Sequence, residues 1–571
     1  MNAIEVDLIL KNVFPLIFQW FVMIATIFLA GMVIRAFIVS LIKPPAAASG
    51  IQPVDSMKAP NDSQEWHTEG LAKLVDNPAE PADNTALPAD ISAESADGFA
   101  PRADGHAEPA HSLAASAACA VEPPTRPAAP PAAPPVAPTA CIRRPFGAFR
   151  RDAFWHVIIL AAFSRIALYI VAYLAARVFL KTEGNFFTSL PELWQRSDAP
   201  HYIAIAENGY VNTGEDKVFL VFLPFYPLII KLFSLVFGSA LFSGILTSLI
   251  TYAAACALIY ETAILLGQDE DAAFLAAKYA IIFPASFFVN GAFSESLFVL
   301  LSVLFFHCLL RKKPAAAACF GLLASFTRYY GLLLVVPYAV ECAQELAAAR
   351  LQAARQRTEG NPSAQQTDVI QANDHQQEAR GAYAAPQNPS NIMNVAETAP
   401  LGASYILRRI TPIFLIPAGT GLFLLVNYIV SGNFFQFLTY QRQHWNQRFT
   451  FFFDNMHNLA ANALSFEAST SASMFAPQII CIILFIIIMA YGAISGFRTS
   501  MLAYLGIYFF VSISAYWMLS FPRYIFGAAP VFSLMASLGR RSKFTDALIS
   551  LICASGLIFL TIAYACGYHV Y

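Results

Sequence analysis

Apolar runs long enough to cross a lipid bilayer recur along almost the whole chain. They begin at Val13 and continue near 154–180, 219–237, 241–266, 272–291, 294–310, 315–343, 410–430, 477–496, 499–519, 524–539 and 545–566. A hydrocarbon core of about 30 Å takes roughly 20 helical residues, and backbone polar groups inside it must be satisfied within the protein. The pattern therefore predicts an all-α polytopic membrane protein of roughly 11–13 transmembrane helices, with the run at 315–343 long enough for a hairpin. Composition agrees: 57% of the residues are hydrophobic and only 13% charged, against about 25% charged in a soluble globule. A soluble fold is excluded, and a net charge of −2 gives no reason to expect a nucleic-acid partner. The nine cysteines include no CxxC pair, so they specify neither a metal site nor a disulfide framework.

Two stretches break the apolar pattern. Residues 44–142 are acidic and Pro/Ala-rich, and 346–404 are Gln/Ala/Asn-rich; neither buries enough apolar surface to offset chain entropy, so both read as disordered linkers. They divide the chain into an N-terminal transmembrane helix (1–43), a first membrane part (143–345) and a second (405–571). The first run lacks a positive region before it and a cleavage site after it, and is expected to be retained as a helix. Basic clusters fall at 143–151, 311–313, 408–409, 498 and 540–543, which the positive-inside bias assigns to the cytoplasmic side. The segments 181–218, 431–476 and 520–524 then face outward. One conflict follows, because an even number of runs separates 218 from 311 where an odd number is required. A re-entrant or broken run, at the prolines of "FLPFYP" or "IIFPASFF", resolves it.

Polar groups of unusual placement gather on the outward side. In "SDAPHYIAIAENGY" (197–210), Ser197 or Asp198 is a good helix N-cap, Pro200 suits the first turn and Gly209 the C-terminal cap. Tyr202, Ile205 and Ala206 then form an apolar face along the membrane surface. The same placement also brings the Asp198 carboxylate to the interface, where a lipid-linked substrate would meet it. Arg328, with Tyr329 and Tyr330, stands at the expected outer tip of the 315–343 hairpin, as either a functional charge or a snorkelling one. Arg523 lies at an outer span end, where an interfacial anchor is the plain alternative. Two guanidinium forks match phosphate oxygens better than lysines do. Asn290, Ser294 and Glu295 sit between two spans, either in a site or as a polar turn that caps the next helix. Gln441, His444, Trp445 and Arg448 lie in a long outer loop. His201 and His444 have no second ligand at coordinating spacing, so no metal is expected.

In the same order, "DAPHYIAIAENGY", "FLPFYPLI", "IIFPASFFVNGAFSESLF", "SFTRYYGLLLVVP" and "GNFFQFLTYQRQHW" resemble the motifs of the PIG-V-like mannosyltransferases. In eukaryotes that family adds the second mannose to the GPI anchor, and bacterial relatives exist. The resemblance covers roughly 155–540, apart from the second linker. It implies a GT-C membrane glycosyltransferase that takes mannose or another hexose from a polyprenyl-phosphate donor, with no cofactor, for a glycan or glycolipid acceptor at the outer face. It implies Asp198 as catalytic base; Arg328 and Arg523 would bind the donor phosphate. His201, Tyr202, Glu207, Tyr210, Ser294, Glu295 and Trp445 would line the donor and acceptor pocket. The family carries Trp directly before the aspartate, where this chain has Ser197, its Trp being Trp194. The long linkers suit a bacterial plasma membrane, or the endoplasmic reticulum if the source is eukaryotic. The rival class is a transporter or lipid flippase using the intramembrane charges Arg165, Lys231, Glu261 and Lys278, although no inverted repeat accompanies them.

Overall fold

The computed structural model describes residues 3–42, 151–359, 403–516 and 518–570; the linker at 44–142, and 360–402 of the second, lie outside the described residues. Along the chain run α1 (Ala3–Ile42), α2 (Arg151–Phe179), α3 (Phe186–Trp194), α4 (Ala199–Asn208), α5 (Phe225–Phe237), α6 (Ala240–Leu265), α7 (Glu270–Ile282), α8 (Glu295–Leu310), α9 (Pro314–Thr327) and α10 (Val335–Glu359). After the second linker come α11 (Ala403–Ile410), α12 (Leu415–Ser431), α13 (Gln436–His444), α14 (Phe452–Ser465), α15 (Ala476–Ser495), α16 (Thr499–Ile513), α17 (Phe521–Gly527), α18 (Pro530–Gly539) and α19 (Lys543–Ala565). Among the described residues the extended pairing is limited to one bridge, Phe449 with Ala515. Helix continues on α10 to Glu359, past the residue 346 where the linker was expected to begin.

The expected passes resolve into three kinds of element. Among the described residues seven helices are long and apolar enough to cross a membrane, two more candidates are bent pairs, and four apolar helices have only 10–17 residues. The chain is a multi-pass membrane protein. Both bends fall at the prolines expected to break a run. The first, of 114°, separates Glu215–Val221 from α5 around Pro224, and the second, of 66°, separates α7 from a 3₁₀ turn at Pro284–Asn290. Proline removes a backbone donor and fixes φ, which ends the preceding helix.

A re-entrant α5 would remove the parity conflict. Helices α6 and α8 run parallel in constant register: Ser248 Oγ donates to the Phe293 carbonyl (3.1 Å), Thr251 Oγ1 to Ser296 Oγ (3.0 Å), and Thr262 Oγ1 lies 3.5 Å from His307 Nδ1. Helix α7 with its bent extension must therefore return between them. The turn before α7 pairs Asp269 and Asp271 with Arg540 (3.0 and 3.1 Å), putting it beside a basic cluster expected in the cytoplasm. The chain thus changes direction twice between 240 and 310. Helix α5 folds back along α6, with the Tyr226 hydroxyl 2.7 Å from Ser248 Oγ near one end and Phe237 against Phe242 at the other. This is the packing that a re-entrant element, adding no crossing, would have.

The 315–343 run is a hairpin with Arg328 at its tip. Arg328 is extended (φ −148°, ψ 147°), and the following 3₁₀ turn, Tyr329–Leu334, folds back on α9. Only glycine permits this approach at 331, because a Cβ there would stand 2.3 Å from the backbone of Ala324 and Ser325. At the opposite end of the hairpin, Lys312 meets Glu345 (2.5 Å) and Glu341 (3.6 Å) on α10. Arg498 forks onto Glu341 through Nε and Nη2, both at 2.6 Å, and Arg409 forks onto Glu345 in the same way. Three basic flanks far apart in sequence, 311–313, 408–409 and 498, thus meet at one end of the bundle. A shared side for them is what the charge bias demands.

Of the charges in the rival reading Arg165 is buried, Lys278 partly so and Lys231 exposed, and each of these three has a structural partner. Arg165 of α2, 2% exposed, donates to the carbonyls of Ser286 (2.6 Å) and Ile281 (2.9 Å) and lies over the Tyr252 ring. Those carbonyls are freed by the break at Phe283–Pro284, so the guanidinium replaces lost helix donors. Lys278 pairs with Asp546, and Lys231 reaches the Glu207 carbonyl (3.3 Å).

Candidate active site

Helix α4 begins where its sequence says it should, but its first carboxylate is not a cap. Ser197 is held in the left-handed region (φ 58°), a conformation that costs a side-chain-bearing residue and is tolerated where the surroundings impose it. Asp198 follows with φ −77° and ψ −15°, Pro200 occupies the first turn, and no side-chain bond caps the helix. Asp198 Oδ2 instead accepts from Arg523 Nη2 at 2.7 Å. This corrects the capping reading: the carboxylate is drawn away from the free N–H groups of its own helix by a guanidinium from residue 523.

Arg523, on the short helix α17, is the centre of a larger cluster. Its Nε and Nη2 reach Glu295 Oε1 at 2.7 and 2.5 Å, while its guanidinium carbon lies 4.4 Å from the centroid of the Phe288 ring. Arg328 Nη1 also reaches Glu295 Oε1 (2.9 Å) and donates to Ser294 Oγ (3.1 Å). The Tyr202 hydroxyl of α4 lies 2.9 Å from Ser294 Oγ and closes the circuit. Ser294 occupies the N-cap position of α8 but makes no cap bond, so the capping reading of "FSES" is corrected in the same way. Four segments distant in sequence contribute: the α4 start, the α8 start, the hairpin tip and α17.

The cluster sets two carboxyl groups against two guanidinium groups, and its members differ in access. The side chains of Glu295 and Arg523 are 2% and 6% exposed, those of Arg328 and Asp198 16% and 25%. Glu295 Oε2 is buried with no hydrogen-bond partner among the described residues. Glu295 is thus the inner anchor that fixes both arginines, and Asp198 is the accessible acid. A buried carboxylate of this kind is held by its cations; removal of any one charge leaves another uncompensated.

Beside the cluster, aromatic side chains form a wall. His201, one turn along α4, stacks on Phe222 (centroids 5.1 Å) and packs on Phe219 (4.6 Å), and Trp445 stands edge-on to Phe222 at 5.9 Å. Burial pushes the His201 imidazole below its ordinary value, against the opposing pull of the Asp198 and Asp216 carboxylates. Tyr210 donates to the Phe222 carbonyl (2.7 Å) and secures the loop that carries this wall.

The other expected residues stand elsewhere. Glu207 is exposed at the far end of α4, and the Asn290 amide donates to the Arg165 carbonyl (3.1 Å). His444 packs on Tyr440 and Trp445, and Arg448 lies over the Tyr516 ring. Sequence reasoning missed Phe288 and Phe293 beneath Arg523, and Tyr508 and Tyr524 around Tyr330 (4.4 and 5.2 Å). Embedded in apolar runs, these aromatics carry no signal of their own. Among the described residues no group of three or more His, Cys, Asp or Glu side chains is placed to hold a metal ion.

No family model matches the chain, and no curated protein matches it. Among solved structures the chain is similar to the Archaeoglobus fulgidus oligosaccharyltransferase, crystallised with zinc and sulfate, at 13% identity and a TM-score of 0.36. The similarity covers 72% of this chain and 53% of that one, so the chain spans about half the length of that protein.

Proposed function

We propose that the protein is a GT-C-type membrane hexosyltransferase, a mannosyltransferase by its motif resemblance, which uses a polyprenyl-phosphate sugar at the outward side of the bundle. The observation that carries this reading is the Asp198–Arg523–Glu295–Arg328 cluster, with its one accessible carboxylate beside two arginines. In the proposed step the acceptor hydroxyl attacks the anomeric carbon while the bond from that carbon to the phosphate oxygen breaks. Asp198 takes the hydroxyl proton, and the polyprenyl phosphate leaves with the electron pair, giving inversion. Charge that grows on the phosphate needs fixed positive groups.

The two arginines divide the work. Arg523 is almost wholly given to carboxylates, so it acts as a positioning residue that holds Asp198 in place. Arg328, more exposed and bonded to the cluster through Nη1 alone, is the better donor-phosphate ligand. The acceptor is a lipid-linked or cell-envelope glycan, and His201, Tyr202 and Trp445 shape the entrance it uses. The rival transporter reading loses support because Arg165, Lys231 and Lys278 each have structural work to do.

The test is sugar transfer from a polyprenyl-phosphate hexose by purified protein in lipid nanodiscs. Asp198→Asn should abolish transfer while the variant remains monodisperse. Full activity in that variant would remove Asp198 from the reaction.

A further inference from the structure

A polar cavity lies along α14, apart from the ion cluster. It has a volume of about 180 Å³ and is bounded by Asn455, Asn458 and Asn462 on one side and by Phe475, Tyr516 and Leu519 on the other. The asparagines stand at i, i+3 and i+7 and therefore share one helix face. Asparagine is a poor residue for a helix interior because its amide competes for backbone partners, so three on one face are not there for helix stability. Asn455 is 4% exposed; its Nδ2 donates to the Ile513 carbonyl at 3.2 Å, which fixes the side chain and leaves Oδ1 buried with no partner among the described residues. No charged side chain bounds the cavity among the described residues, which argues against an anion.

We infer that this cavity is a carbohydrate subsite that holds one sugar ring of the acceptor away from the reacting carboxylate. Each amide presents both a donor and an acceptor, the combination that neighbouring sugar hydroxyls require. Phe475 and Tyr516 offer apolar surface to the C–H face of the ring. Drug-sized ligands occupy roughly 300–1,000 Å³, so a cavity of about 180 Å³ fits a single ring and not a chain. The segment from Tyr516 to Leu519 continues directly into α17, which carries Arg523, so a glycan held here would extend toward the cluster. Calling the sugar part of an acceptor rests on the glycosyl-transfer reading; the binding of a sugar does not.

The experiment is ligand-observed NMR on the full chain in nanodiscs, with methyl α-mannoside, methyl α-glucoside and methyl α-galactoside as probes. At least one should give a saturable signal, retained in Asp198→Asn and weakened at least tenfold in the pair Asn458→Ala, Asn462→Ala. Asn458→Ser, a mild change at an exposed position, should weaken it in the same direction and serves where the pair does not fold. A cavity that is merely hydrated gives no saturable signal, which overturns the inference. So does binding unchanged in the asparagine variants, or lost in Asp198→Asn. Hexoside binding through α14 in a protein that transfers no sugar would refute the proposed function and leave this subsite standing, and transfer without hexoside binding would do the reverse.

Discussion

Two of the ion clusters among the described residues stand at opposite ends of the bundle, and they are built on opposite principles. At the basic end, Glu341 and Glu345 each receive a two-toothed arginine fork, with Lys312 beside both and Ser500 donating to Glu341. At the other end, Glu295 offers one oxygen to two arginines and keeps the other unpaired, while Asp198 stays partly open to its surroundings. The first cluster is closed and fastens helices together. The second is left incomplete, and an incompletely satisfied buried charge network is costly unless something else completes it. The difference separates a fastening from a site.

Substitutions should sort along that line. The largest effect is expected for Asp198→Asn, which removes the proposed general base and should lower the transfer rate about 100-fold or more, with a smaller loss of thermal stability than Glu295→Ala because Arg523 keeps its Glu295 partner. Next, Glu295→Ala leaves Arg328 without its carboxylate and Arg523 with Asp198 alone, and should cost about 3–5 kcal/mol, read as a lowered melting temperature in detergent together with lost transfer. Glu341→Gln should cost about 1.5–3 kcal/mol through lost charged hydrogen bonds, while the protein that remains folded keeps its turnover rate. A turnover loss in Glu341→Gln as large as in Asp198→Asn would erase the distinction between the clusters. Arg328→Lys loses the guanidinium fork and should raise the donor KM about tenfold with a smaller change in kcat, as steady-state kinetics against donor concentration will show.

The smallest effect concerns acid. His201 has its folded pKa lowered by burial, so the folded state binds fewer protons than the unfolded one once the pH falls below the ordinary histidine value of 6.5. Stability should therefore be level above that pH and decline as the pH drops through it. His201→Phe should flatten the decline in melting temperature between pH 7.5 and 5.5.

Much of the fold could be read from local sequence. Pro224 and Pro284 break helices for reasons contained in the proline ring, and the turn at Arg328 falls inside a run that is longer than one span needs. The basic flanks located one end of the bundle before any contact was known. What could not be read was pairing across the chain. Arg165 looked like a charge on a transport path, and its task of capping carbonyls at 281 and 286 depends on a break more than a hundred residues away. Asp198 and Ser294 both satisfied the local rule for a helix cap, and both are recruited by arginines that the rule does not see. The asparagine row of α14 was open to inspection, since its spacing is helical, but its meaning came only with the cavity beside it.

The closed cluster also bears on how the chain is tied together. Glu345 precedes the second linker and Arg409 follows it, and their fork fixes the two ends together independently of what lies between. Loop closure costs only about 0.6 kcal/mol for each doubling of length, so a fork of this kind can hold two segments together over a wide range of separations in sequence. The fork acts as a drawstring, tying α10 to the start of the second membrane part through a pair of side chains.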